Sequence, residues 1–348
     1  MSDTRSLRLL GVAGLLTSAA ALGLALLVPG AMLGWLAAFG FWSGLPIGAL
    51  CLSLMMGLVP GAWRPELEGF AHAMLVPFAL AALAAVPVLL AIPALYEWSG
   101  MAFEGWRGIY LTPWFFVLRT LVFFAFAGIV SAFVLARGAA GGLAAGGLIV
   151  FVLLDTTAAV DWLMSLDPHF HSSGFGLYVL SIQASSAMAT LVLLRLAAGG
   201  TGRQTGLLGG LLLTALLLWA YMAFMQYFIS WSDNFPPIVA WYQTRARGVW
   251  SLVEYAIGAL GLVPIVLLLL PPVRNGPRWL AAFAMATLLA KALEMAWLVL
   301  PAGEGGAAPV AAALLAFAGL GALGMAVLLA ALSGRLRQWR LERGEAAR

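Results

Sequence analysis

Five ionisable residues stand inside otherwise apolar stretches of this 348-residue chain: Arg119, Asp155, Glu254, Lys291 and Glu294. A charge in such a setting is costly unless paired or watered, so each marks a helix fastening, a proton or ion path, or a ligand contact. Lys291 and Glu294 are three apart, share a helix face and can pair. Arg119 can take a second carboxylate. One acid, Asp155 or Glu254, is then left without a cation and is expected to bind and release protons. Asp161 follows Asp155 at six residues, about 9 Å along a helix. Asp167, His169 and His171 come next, but three neighbours on one loop make a poor metal site, and no metal is expected.

These residues must be positioned by elements that lie in lipid. The chain is 63% hydrophobic and 9% charged, with mean hydropathy +1.01. A soluble protein carries about a quarter charged residues, so water cannot be the main solvent here. Each crossing needs about 20 apolar residues. Ten stretches qualify: 7–28, 32–59, 67–95, 113–135, 141–164, 173–196, 206–231, 248–270, 279–300 and 307–332. Backbone groups in lipid must be satisfied internally, and the stretches are too long for barrel strands, so they are helices. The expectation is an all-α polytopic membrane protein, one integral membrane domain over 1–348, with Pro46, Pro77, Pro87, Pro93 and Pro264 kinking its spans. The first stretch is longer than the apolar region of a signal peptide and is read as a membrane helix.

Thirteen of the 18 basic residues fall on the side that holds the N-terminus, among them Arg5, Arg8, Arg64, Arg137, Arg195, Arg203, Arg274, Arg278 and the tail Arg335–Arg348. Arg107, Arg245 and Arg247 fall opposite. Positive charge stays cytoplasmic, so both termini are expected inside. The net charge of +4 reflects topology, with the tail read as a lipid anchor; no nucleic-acid partner is expected.

Helix rise converts position into depth. Arg119 and Glu254 lie about 9 Å in from the outer ends of their spans, while Asp155, Lys291 and Glu294 reach about 18–22 Å from the inner ends. All five then share one slab in the outer third of the membrane. Tyr178, Tyr221 and Tyr255 fall near it, with Gln183 slightly deeper. Two readings follow: a connected polar cluster forming an outward-opening proton half-channel beside a quinol, or charges that merely lock helices. Cys51 is the single cysteine, which excludes a disulfide framework and a self-contained iron–sulfur cluster. His72 has no facing membrane histidine, so no b-type haem is expected. The external stretches Tyr96–Thr112 and Ser232–Arg247 are aromatic and are expected to fold over the bundle or cover a partner. Each follows a span with an aromatic end and opens a span with Trp and an ionisable residue nearby: Trp114 with Arg119, Trp250 with Glu254. That echo suggests a parallel repeat of two four-helix halves.

The run DWLMSLDPHFHSSGFGLYV (Asp161–Val179) resembles the D-W-x-M-S-L-D-P-H-W segment of the ActF-type membrane subunit of bacterial alternative complex III, a quinol:cytochrome c oxidoreductase. The likeness continues through GIYLTPWFFVLRT (Gly108–Thr120), WAYMAFMQYFISWSDNFP (Trp219–Pro236), Trp241–Trp250 with Arg245, and LEMAWLVLP (Leu293–Pro301). It spans the second to ninth stretches. The family is related to the NrfD and polysulfide-reductase membrane subunits, which implies a core of two four-helix bundles plus flanking helices. It further implies a subunit without covalent or metal cofactor, with quinol or menaquinol nearby. The implied partners are a homologous quinol-binding membrane subunit, an iron–sulfur subunit and c-type cytochromes, in some branches a terminal oxidase. Proton-pathway candidates are Asp155, Asp161, Glu254, Glu294, Lys291 and Arg119; quinol-adjacent candidates are Tyr178, Gln183, Tyr221, Tyr255 and His169. The sequence departs from the family at Pro237 and Ile238, where two acids are usual, at Phe170 in place of Trp, and at Glu294 in place of Asp. A secondary transporter and a structural assembly subunit are the competing expectations.

Overall fold

The computed structural model describes residues 4–199, 202–233, 235–303 and 305–342. They form fifteen α-helices in chain order: α1 (Thr4–Leu27), α2 (Met32–Leu58), α3 (Trp63–Leu75), α4 (Phe78–Leu90), α5 (Ile92–Leu95), α6 (Gly105–Tyr110), α7 (Pro113–Arg137), α8 (Gly141–Trp162), α9 (Phe175–Ala197), α10 (Gly202–Asp233), α11 (Pro236–Arg245), α12 (Val249–Leu268), α13 (Pro271–Arg274), α14 (Pro277–Val299) and α15 (Ala307–Glu342). Among the described residues, nine helices are long and apolar enough to cross a membrane, and the bent pair α3–α4 supplies a tenth crossing. The chain is an all-α, multi-pass membrane protein. Ten crossings leave both ends of the described chain on one side; the opposite side is called the far side below. Of the tail arginines, Arg343 and Arg348 lie outside the described residues, as does Asn234 of the NFP run.

Proline and glycine set several boundaries. Proline opens α7, α11 and α14, where its missing N–H and fixed φ cost nothing. Gly138, with φ +75°, closes α7 in a conformation that an L side chain resists. The expected third span divides: α3 and α4 meet at Pro77 with a bend of 41°. Pro93 lies in the first turn of the short α5, whereas Pro46, Pro87 and Pro264 sit inside helices that continue past them.

Packing falls into two sets of four spans. α2, the α3–α4 pair, α7 and α8 contact one another, as do α9, α10, α12 and α14. The sets join mainly through α2 against α9 and α14, and α8 against α9. Helices α1 and α15 pack on each other and flank the core along α2. At the α2–α9 crossing the backbones nearly touch: a Cβ added at Gly48 would lie 2.3 Å from the Gln183 carbonyl oxygen. This contact fixes Gln183 beside the centre of the molecule.

Both far-side connections fold down. Tyr96 and Trp98 are buried, the Tyr96 hydroxyl donating to the Trp162 carbonyl at 3.1 Å and the Trp98 indole to Ser165 Oγ at 3.2 Å. In α11, Arg245 is buried, stacks over the Trp241 ring at 3.6 Å and donates to the Leu298 carbonyl at 2.8 Å. Burial pulls its guanidinium down to about 9, with the Asp167 charge opposing, so it stays charged at neutral pH. The covering is also sealed by Phe170, whose ring stacks on Trp241 at 4.3 Å.

Candidate functional site

Among the described residues, the buried ionisable residues of the spans fall into three separate polar centres. The first joins α7 to α8. Arg119 forks onto Asp161, with Nε–Oδ2 at 2.7 Å and Nη2–Oδ1 at 2.9 Å, and its Nη1 donates to the Tyr110 carbonyl at 3.0 Å. The rings of Tyr110 and Phe115 cover the guanidinium at 3.8 and 4.5 Å. One residue on, the Trp162 indole donates to Thr120 at 3.1 Å and its ring packs against Phe39, Phe123 and Phe124. The Asp161–Trp162 pair is therefore a fastening between adjacent spans. Asp167 turns the following loop by accepting from the His169 N–H at 2.9 Å.

The second centre joins α14 to α9 and α10. Lys291 Nζ lies 2.9 Å from Glu294 Oε2 and 3.0 Å from the centre of the Trp219 ring. Glu294 Oε1 accepts from the Trp219 indole at 2.9 Å and from the Tyr178 hydroxyl. All four residues are buried. The carboxylate thus has a cation and two neutral donors, which is the condition under which a buried ion pair is tolerated.

The third centre is a single acid. Asp155 of α8 is 1% exposed and accepts from the Gln183 side-chain N–H of α9 at 3.2 Å. Its Oδ2 and the Gln183 Oε1 have no hydrogen-bond partner among the described residues. Cys51 of α2 lies within electrostatic range. No hydrogen bond or ion pair among the described residues links Asp155 to either of the other centres.

The expected connected cluster of five charges is thus corrected. Lys291 pairs with Glu294 as anticipated, and Arg119 does take a carboxylate, but the carboxylate is Asp161. Asp161, expected as a proton-pathway candidate, is 1% exposed, because the folded-down Tyr96–Tyr110 segment covers it. Glu254 is exposed on α12 and makes no hydrogen bond or ion pair among the described residues, so it belongs to no centre. Equal depth did not imply contact, since depth says nothing of which way a helix faces.

The quinol-adjacent candidates also scatter. Tyr178 and Gln183 are buried in different centres, while Tyr221 and Tyr255 are exposed on the flanks of α10 and α12. His169 is exposed and lines a far-side cavity of about 610 Å³ with Arg107, Asp167 and His171. A second, apolar cavity of about 560 Å³ opens at the α3–α4 bend, between Phe39, Trp42, Met74, Pro77, Thr190 and Leu328. None of the five candidates lines it. Sequence reasoning missed Trp219 as the aromatic face for Lys291 and Gln183 as the partner of Asp155. The spacing Trp219-x-Tyr221 within an apolar run signals an aromatic band but not its partner.

Among the described residues, no group of three or more His, Cys, Asp or Glu is arranged to hold a metal ion. No protein-family model matches the chain and no curated relative is found for it.

Proposed function

We propose that this chain is a cofactor-free membrane subunit of a respiratory quinol:cytochrome c oxidoreductase of the alternative complex III type, in a bacterial cytoplasmic membrane with both termini inside. The resemblance of the Asp161 and Trp219 segments supports the family, and the two sets of four spans are in keeping with it. The observation that carries the mechanism is Asp155: a carboxyl group buried at membrane depth with no cation, one oxygen held by Gln183 and one without a partner. Such an acceptor must be served by a proton or by water, and a proton relay uses both.

Oxidation of one quinol yields two electrons and two protons. The electrons leave through the iron–sulfur and cytochrome partners, and the protons need a path to the outer face. Asp155 takes a proton and passes it on, with Gln183 fixing the carboxyl orientation. Arg119–Asp161 and Lys291–Glu294 are paired charges and act as helix fastenings. The exit does not run along α8 by side chains alone, because Asp161 is clamped by Arg119 and the Thr157 hydroxyl is spent on the Leu153 carbonyl at 2.9 Å.

Gentle purification of the full-length chain from its own membranes tests the assignment. Iron–sulfur and c-type cytochrome polypeptides with a second, related membrane subunit are expected in constant ratio, with quinol-dependent reduction of cytochrome c. Recovery of the chain alone, with solute transport on reconstitution, would contradict it.

A further inference from the structure

The apolar cavity of about 560 Å³ lies between α2, the α3–α4 pair, α9, α14 and α15. Small residues and a bend make the room. The α3–α4 pair turns by 41° at Pro77 and lines the cavity beyond the bend with Ala81 and Ala84. On α15, Leu320, Gly324 and Leu328 recur every four residues and share one face. A Cβ added at Gly324 would meet nothing within 4 Å, whereas one at Gly321 would lie 2.4 Å from Trp42 Cζ2. Trp42 therefore rests on α15 at Gly321 and leaves the space beside Gly324 open. The side-chain donors of the wall are all spent on backbone carbonyls. The Trp42 indole donates to Phe317 at 2.9 Å, the Ser43 hydroxyl to Phe39 at 2.6 Å and the Thr190 hydroxyl to Ser186 at 2.9 Å.

The cavity opens sideways between α14 and α15, where its lining residues Met285, Leu289 and Met325 are exposed. Met285 and Leu289 lie about 12 and 18 Å along α14 from its Pro277 end, on the side that holds both chain ends. The mouth thus occupies one leaflet and reaches the middle of a core about 30 Å thick. Water does not fill an apolar void, and an empty one forfeits the dispersion contacts of its wall. Hydrocarbon is what the membrane offers at that mouth. Arg278, in the first turn of α14, is exposed and makes no ion pair among the described residues. It precedes Met285 by seven residues, so it stands on nearly the same face, about 10 Å closer to the membrane surface. We propose that this cavity is a lipid site, holding one acyl chain of an anionic phospholipid of that leaflet while Arg278 meets the phosphate. The apolar wall selects a hydrocarbon chain, and the guanidinium selects the headgroup. The inference requires only that the chain spans a membrane and does not depend on the respiratory reading.

Lipid analysis of the full-length chain tests it. After purification from native membranes and repeated exchange into fresh detergent, roughly one anionic phospholipid per chain should remain. Gly324→Phe, whose ring fills the cavity, should lower that retention by about tenfold or more. Arg278→Gln should do the same for the anionic class, whereas Arg137→Gln, an exposed arginine at the same-side end of α7, should change nothing. Location is read in the unmodified chain, where misfolding of a variant plays no part. Phosphatidylglycerol carrying a diazirine at mid-chain, added to the membranes and irradiated, should label residues 77–84 and 285–289 well above Leu153, which is exposed on α8. Labelling confined to exposed flanks such as that of Leu153 would overturn the proposal. So would loss of all phospholipid on detergent exchange, recovery of a zwitterionic lipid or an isoprenoid quinone in its place, or unchanged retention in Gly324→Phe.

Discussion

Lys291→Met removes the only cation bonded to Glu294 among the described residues and leaves its carboxylate buried with two neutral donors, Trp219 and Tyr178. Breaking a buried ion pair from one side costs about 3–5 kcal/mol, because the survivor keeps its desolvation penalty. At roughly 2 °C per kcal/mol for a chain of this length, the apparent melting temperature should fall by about 6–10 °C. The double variant Lys291→Met, Glu294→Gln removes the stranded charge yet keeps an oxygen for Trp219 and Tyr178 to bond. It should return to within about 1–2 kcal/mol of the parent. The single Glu294→Gln should also fall, since Lys291 is left with the Trp219 face as its main partner. Unfolding of the four proteins in the same detergent, followed by thiol labelling of buried Cys51, closes the double-mutant cycle. If Lys291→Met melts within about 1 °C of the parent, or if the double variant is worse than either single, the fastening role is wrong.

Asp161→Asn should cost about 3 kcal/mol, read as lost yield of folded chain, and adding Arg119→Gln should recover most of it. Arg245→Lys keeps the charge but loses the fork that reaches both the Trp241 and Leu298 carbonyls. It should lower stability by about 1–2 kcal/mol, measurable as earlier proteolysis in the Pro236–Gly248 stretch. The chain purified on its own should show no haem absorption band and no stoichiometric iron by elemental analysis.

Much of this architecture is legible in composition and loop charge. Every apolar stretch of about 20 residues emerges as a span, and Pro77 marks the one place where a span breaks into two helices. The Lys291–Glu294 pair is legible too, because a separation of three fixes a shared face on one helix. Pairings between helices are not. Arg119 and Glu254 sit at matching depths in matching positions of the two halves. Even so, one finds Asp161 across a helix interface and the other makes no ion pair among the described residues. Depth follows from counting residues, whereas facing depends on how α7 rests on α8 and α12 on α14. The burial of Asp161 depends on a connection, Tyr96–Thr112, whose aromatic content signalled a fold-back without saying what it would cover. Gln183 is a quinol-adjacent candidate in the sequence; its bond to Asp155 is a contact between helices that no spacing signals, and α9 meets α2 closely at Gly48.

The central claim is that Asp155 carries protons released by quinol oxidation, and Asp155→Asn in the assembled complex tests it most directly. Asn keeps the shape and can still bond Gln183, so assembly should be unchanged by native gel. Quinol-dependent cytochrome c reduction in proteoliposomes, with proton release followed by a trapped pH dye, should slow by about tenfold or more, a barrier increase of about 1.4 kcal/mol. Full turnover with unchanged proton release in Asp155→Asn would contradict the account and leave Asp155 as one more polar contact between helices.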